Sequence, residues 1–193
     1  MAPLNIKVII GSTREGRFGD KAAAWVTEHL AKQEGIVAET LDLRDYDMPL
    51  FNEPVSPAFK SAPFAHEAVA RFTKKIAEAD GYIIVTPEYN HSTSGALKNA
   101  MDWVYQEWND KPVAFVAYGS VGGARAVEHL RLIAIELQMA PIREAVHLLG
   151  NDYFATVFGK STPAELFAKY DEKADVMIQQ LTKWTRGLKG MRG

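Results

Sequence analysis

The stretch Gly11-Ser12-Thr13-Arg14-Glu15-Gly16-Arg17-Phe18-Gly19 gathers two hydroxyls and two guanidinium groups between three glycines. At the entrance to a helix, such side chains add to unpaired backbone N–H groups and the positive end of a dipole. The combination suits an anion, above all a phosphate, and the glycines let the backbone approach it closely. Gly11 and Gly16 have the spacing of a P-loop. Arg17-Phe18, however, stands where the lysine for the β/γ-phosphates and the hydroxyl for magnesium belong. The stretch is not Gly-x-Gly-x-x-Gly either, so a dinucleotide-binding turn is unsupported. A single terminal phosphate held without a metal fits better. The competing reading is a tight turn with solvated arginines.

A second stretch, Thr86-Pro87-Glu88-Tyr89-Asn90-His91-Ser92-Thr93-Ser94-Gly95, offers a platform for a flat ring. Pro87 stiffens it, Tyr89 supplies an aromatic face, and Asn90 tolerates unusual backbone angles. Ser92 or Thr93 is expected to cap the helix that follows. The plainer alternative is a turn and cap with Tyr89 packed at a sheet edge. His91 could donate a proton, although a lone loop histidine is more often a solvated polar residue. Lys98 and Asp102, four apart, predict a surface pair of small value.

Composition narrows the classes. The 193 residues contain no cysteine and carry a net charge of −2. Thiol nucleophiles, thiolate metal sites, iron–sulfur clusters and cysteine phosphatase chemistry are excluded. The charge gives no sign of a nucleic-acid or membrane-surface partner. The histidines at 29, 66, 91, 129 and 147 have no metal-ligand spacing, and no Ser/His/Asp arrangement is evident. Met1–Ile10 has neither a signal-peptide h-region nor a cleavage site, and no apolar run spans a bilayer. A cytoplasmic location is the expectation.

These loops must be held by elements. Ile6–Ile10 is a short β-branched run stopped by Gly11 and reads as a strand. Further strands are expected over 37–43, 81–85, 113–118 and 142–148. Helices are expected over 20–30, from Pro63 past Ile76, and over 96–108, 124–138 and 163–188, with a basic tail of Lys183, Arg186, Lys189 and Arg192. Residues 44–62 read as an irregular surface stretch. Five β-α units without a linker or repeat predict one domain over 1–193. Its expected form is a doubly wound parallel sheet of flavodoxin-like order 2-1-3-4-5, with helices on both faces. Ligands on such sheets bind beyond the carboxyl ends of the strands, where the loops after strands one, three and four converge.

Residues 11–18 and Thr86-Pro87-Glu88-Tyr89-Asn90-His91-Ser92-Thr93-Ser94-Gly95-Ala96-Leu97-Lys98-Asn99-Ala100-Met101-Asp102-Trp103 resemble the NADPH-dependent FMN reductase family, which includes quinone, azo-dye and chromate reductases. The later Gly119-Ser120-Val121-Gly122-Gly123-Ala124-Arg125-Ala126 is similar to the family's third loop. The resemblance runs from the first strand to the fourth helix. Its specific part is Pro87-Glu88-Tyr89-Asn90 to Leu97-Lys98-Asn99.

The resemblance implies an FMN-dependent oxidoreductase that passes hydride from NADPH or NADH to quinone, azo or similar acceptors, or to free flavin. Ser12, Arg14, Arg17, Phe18 and Gly19 would hold the FMN phosphate. Arg17 departs from a serine and Gly19 from an asparagine common in the family, so Arg17 makes an ion pair or points to solvent. Pro87, Glu88, Tyr89 and Asn90 would line the isoalloxazine, and Gly119, Ser120, Gly122 and Gly123 its pyrimidine side. Backbone N–H groups of a glycine-rich loop suit the negative charge of a reduced flavin, and the flavin carries the chemistry without an obligatory protein acid or base. The rival is a flavodoxin-type electron carrier, which usually has a more acidic surface and no arginine in its phosphate loop. The family's habit implies a homodimer or tetramer. Trp103, Tyr105 and Trp108 cluster near the end of their helix, Trp103 and Tyr105 off its apolar stripe, and are expected to form an association surface, the alternative being ordinary packing against residues 44–62.

Overall fold

A computed structural model describes residues 2–59 and 64–192. The parallel strands β1 (Leu4–Ile10), β2 (Ile36–Asp42), β3 (Gly81–Pro87) and β4 (Pro112–Tyr118) form the body of one sheet. Two short strands, β5 (Ala140–Pro141) and β6 (Val146–Leu148), both pair with β4. The order is β2-β1-β3-β4-β5, as the alternation of strands and helices predicts. The expected single strand over 142–148 is thus divided. Pro141 has no N–H to donate, and the exposed Arg143 and half-buried Glu144 lie outside the ladder before Val146 rejoins it.

Helix α1 (Gly19–Ala31) covers one face, with α2 (Glu67–Ala77), α3 (Gly95–Asp102) and α4 (Ala124–Glu136) on the other. Three further helices, α5 (Gly150–Val157), α6 (Pro163–Ala168) and α7 (Asp171–Arg192), follow β6, and α7 packs beside α1. Burial on both faces explains why β3 and β4 are apolar throughout. Alternate residues of β1 serve the two sides: Ile6, Val8 and Ile10 meet α1 and α7, whereas Ile9 meets the opposite layer.

Several boundaries differ from expectation. The start at Pro63 lies outside the described residues, and α2 is ordered from Glu67. Helix α3 ends at Asp102, and after the run Trp103-Val104-Tyr105 the chain resumes only as a 3₁₀ turn at Gln106–Trp108. The expected helix over 163–188 is two helices. At their junction Tyr170 is held by its hydroxyl, which accepts from the Leu149 N–H and donates to Asp152. The basic tail is partly consumed internally, because Lys189 and Arg192 both bind Asp80.

Trp103 and Trp108 do not form an outer surface. Both are fully buried. The Trp103 indole N–H donates to the Pro49 carbonyl at 2.8 Å, and its ring meets Phe51 edge-on. Trp108 packs against Tyr82 and Phe72. The segment after β2 thus covers Trp103, while α2 and β3 cover Trp108.

Candidate functional site

The loops after β1, β3 and β4 lie together at the carboxyl edge of the sheet and are joined by specific bonds. The Gly11 N–H donates to Val85 at 2.8 Å, and the buried Ser94 hydroxyl donates to the Gly11 carbonyl. Ser94 also accepts from the Leu97 N–H and caps α3, a role expected of Ser92 or Thr93. Those two are engaged elsewhere: Ser92 pairs with Tyr89 through the backbone and with the His129 ring, and Thr93 pairs with Thr86. The buried Ser12 hydroxyl and the Tyr89 phenol are 2.8 Å apart, which links the first loop to the second.

The second and third loops are joined through Glu88. Its N–H donates to the Tyr118 carbonyl at 3.0 Å. Its carboxylate accepts from the Arg125 backbone N–H at 3.2 Å and lies 2.8 Å from Arg125 Nε. It supplies the negative charge at the start of α4, whose N-cap Gly123 has no side chain. The Glu88 side chain therefore positions two loops and leaves mainly backbone to face a ligand. Gly123 has φ of 71°, and a Cβ there would sit 2.6 Å from the Ala117 Cβ. Only glycine permits this turn. Asn90 at φ 48° and His91 at φ 75° give the second loop its left-handed corner.

Arg17 takes one of its two open readings, an ion pair, but with the protein itself. Its guanidinium donates to both oxygens of Asp42, to Asp20 and to the Ser12 carbonyl, and the side chain is buried. Burial alone would raise the Asp42 carboxyl, but the bonds from Arg17 and Arg44 outweigh it and hold Asp42 well below the usual carboxylate range. Arg17 still lines the cleft described below, with its guanidinium bonded to the protein's own carboxylates. Phe18 is also turned inward, with its ring edge-on to Tyr118 and Tyr153.

Between the first loop and α5 lies a cleft of about 180 Å³, lined by Arg14, Lys21, Tyr89, Tyr118, Tyr153 and Thr156 among others. Arg14 is exposed, and no side chain caps the N-terminus of α1 behind it. The Tyr118 hydroxyl is buried there without a hydrogen-bond partner. A larger hollow of about 610 Å³ lies across the first loop, between Thr13, Arg44, Tyr46, Met48, Leu50 and Asn99. Size does not decide between them. The smaller cleft has the helix terminus, the cation and the orphaned donor that an anion requires. His91 is exposed beside His129, with ring centroids 6.0 Å apart, and does not line the cleft.

The sequence profile of the NADPH-dependent FMN reductases matches residues 4–153. This chain belongs to that family. An NAD(P)H-dependent FMN reductase of a Nectria species is 37% identical over 161 residues, 79% of this chain and 80% of that protein. A quinone reductase of Escherichia coli K12 is 37% identical over 141 residues, 69% of this chain and 71% of that one. Among solved structures, the flavoenzyme NAD(P)H:(acceptor) oxidoreductase FerB of Paracoccus denitrificans superimposes with a TM-score of 0.67 at 27% identity, covering 93% and 98% of the two chains. The chain is an NAD(P)H-dependent flavin oxidoreductase with FMN as its cofactor.

The residues present fit that cofactor. An orphaned hydroxyl, an exposed arginine and a helix start without a side-chain cap suit its phosphate, and three of the five residues in the Gly119–Gly123 turn have no side chain to screen the backbone. Tyr118, Lys21, Tyr153 and Thr156 were not singled out by sequence reasoning. Tyr118 could have been, because it is the last residue of a strand that points to the switch point. Tyr153 and Thr156 had no signal, since α5 lacks a legible helical pattern, and Lys21 reads as an ordinary solvent-facing residue of α1.

Proposed function

We propose that the cleft and its rim seat FMN in the following way. Arg14, the hydroxyl of Ser12 and the first turn of α1, from Phe18 and Gly19, hold the phosphate. Pro87, Glu88, Tyr89 and Asn90 support the ring. Gly119, Ser120 and Gly123 present backbone N–H groups to its pyrimidine edge, where they stabilise negative charge, and Gly122, whose N–H closes the turn onto the Gly119 carbonyl, shapes that edge. When bound, FMN supplies the redox chemistry by taking hydride from a nicotinamide and giving it to an acceptor. The protein's part is to bind and orient, and no side chain at the rim is required to carry a proton.

Quinones are the acceptor class we favour, supported by the activity in the name of the Escherichia coli relative. The arginine-bearing phosphate loop and the slight net charge of −2 speak against a bare electron carrier. We also propose that the protein acts in the cytoplasm as a homodimer or tetramer. Exposed apolar residues on the segment after β2, Leu50 and Phe59 at 80% and 84% exposure, support association.

The observation that carries the reading is the anion-ready cleft between the first loop and α5, with Tyr89 of the second loop and Tyr118 at the end of β4 on its lining. The test is the absorption spectrum of the protein incubated with FMN, followed by anaerobic NADPH and then a quinone. The bound-flavin band should bleach and then return. A protein that takes up no FMN sinks the proposal, and one that binds it but is reduced only through a partner reductase favours the carrier.

A further inference from the structure

Tyr118 closes β4, and its side chain lies under the first loop rather than over the third. A Cβ built on Gly19 would come within 3.1 Å of the Tyr118 oxygen, so the hydroxyl lies over the first residue of α1. The residue is only 3% exposed, and its ring is fixed edge-on by Phe18 and flanked by Tyr153. The hydroxyl nevertheless has no partner among the described residues. Leaving a buried donor unpaired is costly, and native folds seldom do it without a reason. The first N–H groups of α1 have no intrahelical acceptor, and no side chain caps them.

We propose that the Tyr118 hydroxyl is a phosphate-binding donor, acting with the first turn of α1 and Arg14 to hold the terminal phosphate of the flavin. This rests on the reading of the cleft as an FMN site. The chemistry is one-directional. Burial, with Tyr89 and Tyr153 nearby, drives the phenol far above its usual range, so it stays protonated and can donate. A phosphate monoester offers oxygen lone pairs to the phenol and the helix together. A flavin ending in a neutral ribityl hydroxyl offers a much weaker acceptor.

The test compares wild type with Tyr118→Phe, titrated with FMN and with riboflavin by flavin fluorescence, alongside thermal melts of the flavin-free protein. Removing a donor to a charged acceptor should weaken FMN binding about 10- to 100-fold. Riboflavin affinity should stay the same. The flavin-free variant should melt no lower than wild type, because an unsatisfied group has been deleted. FMN affinity that is unchanged, or that falls in step with riboflavin, overturns the assignment, the hydroxyl then serving only an ordered water or the ring. If wild type itself binds no FMN, the cofactor reading fails first; if wild type binds and the variant binds equally, only the role of Tyr118 fails.

Discussion

Asp42→Asn tests whether the first loop is shaped by an internal ion pair. Asparagine keeps the size of the side chain and an oxygen for the Arg44 N–H, but leaves the buried Arg17 guanidinium without its two-oxygen partner. Breaking a buried pair by removing one partner costs about 3–5 kcal/mol. Asp20 still faces Arg17 but is itself half exposed, so it recovers only part, and about 3 kcal/mol is the expected loss. At 2–4 °C per kcal/mol for a chain of this length, that is a fall of about 6–12 °C in Tm.

The pH dependence carries a sign. The folded Asp42 carboxyl titrates below its unfolded value of about 3.9. Its contribution is therefore complete above the unfolded value and is lost as pH falls through the folded one. The gap between wild type and variant, measured by urea denaturation without flavin, should be full at pH 7 and close progressively below about pH 5. A gap under about 1 kcal/mol at pH 7, or one indifferent to pH, refutes the reasoning.

Arg14→Ala should weaken FMN binding by about tenfold or more while leaving riboflavin nearly untouched, and the loss should shrink as salt rises; equal losses for both flavins in a fluorescence titration would place Arg14 away from the phosphate. Gly123→Ala forces a side chain into a left-handed corner against Ala117, and should cost on the order of 2 kcal/mol or more in a urea melt. A variant within about 0.5 kcal/mol of wild type would contradict the described turn.

Much of this was legible in the order of residues. Runs such as Ile6–Ile10 and Val113–Tyr118 admit little besides buried parallel strands, and the glycine and hydroxyl loops after them mark the binding edge. The sheet order followed from that pattern. What failed depended on distant partners. Trp103 lies off its helix's stripe and is covered by Pro49 and Phe51, whereas Trp108 is buried against Tyr82 of β3 and Phe72 of α2. Arg17 reads as a free cation until β2 brings Asp42 beside it, 25 positions away. Helix α5 begins Gly150-Asn151-Asp152, residues of poor helical propensity, and is stabilised by tertiary bonds such as that of Asp152 to Lys169. The orphaned Tyr118 hydroxyl is a fact of three-dimensional packing that no spacing encodes.

The bonds among the loops have a bearing on how flavin comes and goes. Because Ser94 grips Gly11, Ser12 meets Tyr89, and Glu88 spans to Arg125, these loops are braced by the protein's own bonds. A rim held in this way leaves little chain entropy to be surrendered on docking.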